Sequence, residues 1–211
     1  MTHATLTGEV HVWYGRVGAT GVLEDLTLLS REEKLRCARI ADPLRRRRVI
    51  GLHADARRIL SRYVPIAPEH LHLVWDTDGN RSARLLGCSE RARCPAGAVV
   101  PCLAEPLIVA TALCAHRWAI ASATHGPLAL AMAAPPPPGP LPRVPRPADS
   151  EIPDRLRDRV RLEAAVRASG HPLPVGPAAA VYDLPSHGTA LTALACAHDT
   201  PVAAVRCHEV P

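Results

Sequence analysis

Polar and apolar residues alternate from Glu9 to Tyr14, with Val10, Val12 and Tyr14 on one face and His11 and Trp13 on the other. That period of two is the signature of a strand. Ser30-Arg-Glu-Glu33 then spells a capping box: the Ser30 hydroxyl accepts from the first helical turn and Glu33 reaches back to the cap. A helix is predicted from there to about Ala41, stopping near Pro43. A second runs from Leu44 to Tyr63, with Leu44, Ile50, Leu52, Ile59, Leu60 and Tyr63 as its apolar face and Pro65 as its stop. His70 to Asp76 and Ser82 to Leu86 read as strands about a turn at Asp78-Gly79-Asn80.

Residues 87–106 are rich in Cys, Pro and Gly and read as a linker or crossover. His116 to Ala123 and Leu128 to Ala133 read as a hairpin around Thr124-His125-Gly126-Pro127. Pro135 to Pro147 holds eight prolines, an extended link. Asp154 to Ser169 reads as a helix closed by Gly170, followed by three strands: Ala179 to Leu184, Leu191 to Ala197 and Val202 to His208. The order strand, helices, strands and then strands, helix, strands predicts an α+β fold of two similar αβ halves, 1–106 and 107–211. A cleft between them is where ligands commonly bind.

Composition narrows the picture. With 211 residues and 47% hydrophobic content the chain can bury a real core, but it has no Phe and only 3% aromatics. Leu, Val, Ile and Ala must therefore do the packing. Lys34 is the single lysine among 25 basic residues, which looks like coding bias rather than selection for arginine chemistry. The formal charge of +5 favours acidic partners. Nucleic acid is the least supported of these, because no run of aromatics interleaves with basic residues. Met1 to Val10 lacks a signal-peptide pattern. The apolar run Leu107 to Cys114 is too short to span a membrane, and His116 and Arg117 separate it from the next apolar residues. These features and an odd count of seven cysteines are read as a cytoplasmic protein with reduced thiols. Cys88, Cys94 and Cys102 do not have zinc-ribbon spacing.

Val10-His-Val-Trp13 followed by Leu28-Leu-Ser-Arg-Glu-Glu33 resembles the start of many bacterial 4′-phosphopantetheinyl transferases. The similarity continues through Arg39, Pro43, Arg45, Arg47, Ala54, Arg57, Arg58, Leu60 and Tyr63 to Pro68-Glu-His-Leu71. It returns at Thr124-His125 with Leu128 to Ala133, at Leu162-Glu-Ala-Ala165 with Gly170, and at Val181-Tyr-Asp-Leu184 with Leu191 to Ala195. The resemblance implies the larger, pseudodimeric fold of that family. It also implies its reaction, in which Mg²⁺ helps move a phosphopantetheine arm from coenzyme A to a carrier protein.

The chain departs from that pattern at the chemistry. Residues 106–148 contain no Asp and no Glu, so the family's Gly-Val-Asp-X-Glu metal motif is replaced by Ala133-Ala134 and the proline run. Its Gly-Lys-Pro turn is Gly79-Asn80-Arg81, its Ser-His-Ser is Thr124-His125-Gly126, and His53 stands where an Arg would. In the metal-binding helix Glu163 is kept, while Arg167 replaces a Lys. Mg²⁺ prefers an octahedron of oxygens with carboxylate anchors, and one glutamate is a poor anchor. Arginine stays protonated where a lysine can be tuned to act as a base.

The expectation is therefore a repurposed scaffold that works without metal or other cofactor by acid/base chemistry: a cyclisation, elimination or isomerisation in a bacterial natural-product pathway. His125 and Glu163 are the candidate catalytic pair, and Arg47, His53, Thr124 and Arg167 the candidate substrate contacts. The substrate is a small molecule or is linked to an acyl or peptidyl carrier protein, with no nucleic-acid or membrane partner. Two alternatives stay open, a weakly active transferase using coenzyme A and Mg²⁺, and a non-catalytic module that binds a carrier protein. Each candidate also has a bland account. His125 can cap a turn, and Glu163 can pair with Arg159, Arg161 or Arg167 at helical spacing. His187 near Asp183 reads as a loop residue. Of Arg45 to Arg48, at most two can face one ligand.

Overall fold

Glu9–Arg16 forms β1, whose neighbour in space, Trp118, comes from a strand a hundred residues further on. A computed structural model describes residues 9–17, 21–76, 82–88, 107–124, 128–134, 151–169, 179–187, 190–197 and 202–210. After β1 come α1 (Val22–Leu28), α2 (Arg31–Ala38) and α3 (Pro43–Leu60). The capping box forms as read: the Glu33 amide donates to Ser30 Oγ at 3.2 Å and the Ser30 amide to Glu33 Oε2 at 2.8 Å. Asp42 starts α3 by accepting from the Leu44 amide at 3.0 Å, and Pro43 suits a first turn whose amides have no partner. Helix α2 therefore stops three residues short of Ala41. Leu44, assigned to the buried face of the second helix, is 56% exposed because it sits in that first turn, ahead of the packed stretch from Val49 to Leu60.

A short 3-10 turn (Pro68–His70) leads into β2 (Leu71–Trp75), followed by β3 (Ser82–Cys88), β4 (Leu107–Cys114), β5 (Arg117–Ala123) and β6 (Leu128–Ala133). Helix α4 (Glu151–Ser169) and the strands β7 (Ala179–His187), β8 (Ala190–Ala197) and β9 (Ala204–Glu209) complete the order. The chain is thus α+β. Six strands form one sheet in the order β2-β3-β4-β5-β1-β9, and three form another in the order β6-β8-β7. The larger sheet takes β4, β5 and β9 from beyond residue 106 and hydrogen-bonds them with β1, β2 and β3.

The expected hairpin of β5 and β6 does not form. β5 pairs with β4 and β1, whereas β6 pairs with β8 in the other sheet. β5 is buried on both faces, Trp118 and Ile120 on one and Ala119, Ala121 and Ala123 on the other. Two elements, α1 and β4, form where the sequence pattern alone assigned neither helix nor strand.

The layers follow from the same alternation. Leu52, Ala56, Ile59, Leu60 and Tyr63, from α3 and just beyond it, pack with Leu73, Leu85, Val109, Trp118 and Ile120 on one face of the larger sheet. Its other face, with Val10, Val12, Tyr14, Ala110, Ala119 and Ala121, meets Leu128, Leu130, Leu194 and Cys196 of the smaller sheet. Val160 and Ala164 of α4 cover the far side of that sheet against Ala131, Ala193 and Ala195. Alanines make up much of these facing surfaces, in a chain without Phe.

Candidate functional site

The strand alternation that buries Val10, Val12 and Tyr14 turns His11 and Trp13 toward α3. Just past the end of α3 stand Arg62 and Tyr63. β9 lies parallel to β1 with His11 opposite Arg206 and Trp13 opposite His208, which brings Arg206 and His208 to the same face. Three segments far apart in the chain thus gather seven polar or aromatic side chains: Glu9, His11, Trp13, Arg62, Tyr63, Arg206 and His208.

Their hydrogen bonds order the protons. Trp13 Nε1 donates to the Tyr63 oxygen at 2.7 Å, which leaves the Tyr63 hydroxyl proton to be aimed elsewhere. His11 Nδ1 lies 2.9 Å from that oxygen and accepts it. The His11 proton then belongs on Nε2, which faces Glu9 Oε2 at 3.2 Å. Arg206 grips both Glu9 oxygens, at 2.7 and 2.8 Å, and its hydrogen bond together with that from His11 holds the Glu9 carboxyl down at about 2. Glu9 is accordingly an anion that orients the imidazole.

His208 closes the group on the solvent side. Its Nε2 is 3.3 Å from His11 Nδ1, and its ring stacks on Trp13 at a centroid distance of 4.2 Å and an angle of 21°. The Arg62 guanidinium sits 4.9 Å from the Trp13 ring centre. Burial first, and then the charges of His11, Arg206 and Arg62, push the His208 imidazolium below its ordinary range. The ring is therefore a neutral base near pH 7. Tyr63 and His11 are 8% and 7% exposed while His208 is half-buried, so the chain of groups runs from the interior to the surface. Burial raises the Tyr63 phenol, which stays a proton donor. The arrangement can take up a proton at His208 and exchange it with His11.

The residues singled out from sequence lie elsewhere. His53 is 0% exposed, stacked on Trp75 at 4.1 Å and 7°. Its Nδ1 is 3.7 Å from Glu33 Oε1, and burial holds it down at about 4 despite that carboxylate. Glu33 is itself the hub of a buried network, accepting from Arg57 Nε at 2.9 Å and Trp75 Nε1 at 2.7 Å. Burial alone would raise its carboxyl. The charges of Arg57 and His53 and the hydrogen bonds from Arg57 and Ser30 outweigh that and lower it. Arg57 also donates to the carbonyls of Pro68 and Leu71, tying α3 to the start of β2. This is a structural core in which His53 reaches no surface.

Arg47 is exposed on the first half of α3, and Thr124 is half-buried directly after β5. Arg167 donates to Glu163 within α4 and to the carbonyl of Leu130 on β6, so the ion pair expected at helical spacing forms. His125 lies outside the described residues, as do the Asp78-Gly79-Asn80 turn, Cys94, Cys102, Gly170 and the proline run. His187, read as a loop residue, ends β7. Among the described residues, the Mg²⁺ that the family resemblance implies finds a poor anchor. The one carboxylate at the expected position, Glu163, is bound by a guanidinium, and a cation there would face Arg167.

No protein-family model and no curated protein matches the chain. The class its fold defines is α+β, with two sheets and four helices among the described residues. No helix among them is long and apolar enough to cross a membrane. His11, Trp13 and Tyr63 were each visible as pattern or motif residues. Nothing in the sequence signalled that His208 would reach them, because no local pattern encodes a parallel pairing across nearly the whole chain.

Proposed function

We propose that this chain is a divergent relative of the larger, two-half phosphopantetheinyl transferases that works by metal-independent proton transfer. In this reading it is a cytoplasmic enzyme of a bacterial natural-product pathway, acting on a small-molecule or carrier-linked substrate without coenzyme A or Mg²⁺. The observation that carries the acid/base role is the hydrogen-bonded series Tyr63, His11 and Glu9 with the neutral His208 at its solvent end. Each sheet having a helix on its outer face, α3 on one and α4 on the other, supports a scaffold of two αβ units.

His208 takes a proton from an acidic C–H of the substrate and can pass it from Nε2 to His11 Nδ1 as the Tyr63 hydroxyl turns away from that nitrogen. Returning the proton to a different carbon gives an isomerisation. Delivering it to a leaving group gives an elimination. In both cases the protein ends in the state in which it began. Positioned acid/base groups contribute roughly 10² to 10⁴ in rate.

The test incubates the protein in D₂O with a panel of free and carrier-linked carbonyl compounds and reads deuterium uptake by mass spectrometry. We expect uptake into one compound class, reduced at least about 100-fold in His208→Gln. The reading fails if no compound exchanges while coenzyme A with Mg²⁺ raises the melting temperature and the arm is transferred to a carrier protein.

A further inference from the structure

β9 is an end strand. Among the described residues it has β1 as its one neighbour in the sheet, paired from Glu9↔Ala204 to Tyr14↔Glu209, with the Val210 amide donating to the Tyr14 carbonyl at 2.8 Å. On the face toward α3, two side chains fasten it: Arg206 on Glu9, and His208 against His11 and Trp13. Strand alternation sends Cys207 and Glu209 to the other face, with Tyr14.

We propose that the His11–His208 contact is a proton-operated latch that holds the C-terminal strand on the sheet and releases it on acidification. Across the 3.3 Å gap a proton on His208 Nε2 can be shared with His11 Nδ1 once the Tyr63 hydroxyl turns away from that nitrogen, and the shared proton binds the two rings. A second proton leaves two cations face to face. The groups around them make this worse: Arg62 lies over Trp13 beside the His208 ring, Arg206 follows on the same strand face, and Tyr63 is a neutral phenol. Glu9 is the counter-charge, and Arg206 already engages both of its oxygens. His208 is held below the ordinary imidazole value of 6.5, so the released strand takes the proton first and the latch weakens as pH falls below about 6.5. An end strand gives way first, because it loses pairing on one side alone. The latch goes beyond the proton-transfer reading and stands on geometry whether or not the group is catalytic.

Amide hydrogen exchange of the full chain, corrected for intrinsic rates, tests it at pH 7.5 and pH 5.5. We expect protection of the amides from Arg206 to Val210 to fall at least about tenfold at the lower pH while those of β4 and β5 keep theirs. In His208→Gln, and separately in His11→Gln, the difference between the two pH values should vanish for β9. The latch is overturned if β9 protection does not change with pH, if β4 and β5 lose protection in step with it, or if the variants keep the pH response. The two variants guard against one of them merely loosening the strand, since a loosened strand that still responds to pH counts against the proposal.

Discussion

Gly15 stands opposite Trp118 in the β1–β5 pairing, and the indole lies across the place where a side chain would be. A Cβ at Gly15 would come within 2.2 Å of Trp118 Cζ2 and 2.6 Å of Cε2. Trp118 is 1% exposed and packed among Ile59, Leu60 and Ile120, so it has nowhere to retreat. Overpacking of this kind costs about 1–3 kcal/mol. We expect Gly15→Ala to lower the denaturation midpoint by that amount with the slope unchanged. His53 gives a pH signature at the same scale. Its folded value of about 4 lies below the 6.5 of an ordinary imidazole, so the unfolded chain takes up the proton first. The stability it contributes is full above about pH 6.5 and is lost as pH falls toward 4, a change on the order of 3 kcal/mol. Stability measured across that window should decline less steeply in His53→Leu than in the natural chain.

At the scale of elements, one carboxylate joins three of them. Glu33 completes the cap of α2, pairs with Arg57 of α3 and accepts from Trp75 of β2. Glu33→Gln leaves the Arg57 charge buried without its counter-ion, and breaking a buried pair costs roughly 3–5 kcal/mol. A urea titration should show that loss, well above the ~1 kcal/mol of a cap alone. The cap itself was legible because a capping box is local: four residues carry the whole instruction. The limits of α3 were nearly so: the helix read from Leu44 to Tyr63 runs from Pro43 to Leu60. The partner of β5 was not. Turn residues after a strand suggest a hairpin, but β5 and β6 find their partners in β4, β1 and β8, pairings of the assembled layers that the turn does not carry.

At the scale of the whole molecule, the first and last strands of the described residues lie in one sheet. β1 and β9 are paired in parallel, and the hydrogen bonds between their side chains link residues 197 positions apart. That closure makes the proton-exchange group. His11 and Trp13 were legible as one strand face and Tyr63 as the end of a helix, yet their meeting with His208 depends on which edge the last strand chooses. The candidate pair read from sequence rested instead on a local feature, a glutamate on α4, and a neighbouring arginine one helical turn away engages it. The central claim is that His11 and His208 act as one proton-exchanging unit. An NMR titration of the His208 ring, in the natural chain and in His11→Gln, tests it most directly. We expect His208 to titrate below the ordinary imidazole value and to move upward in the variant, because one of the charges that lowers it has been removed. An ordinary midpoint that does not respond to His11→Gln would contradict the claim.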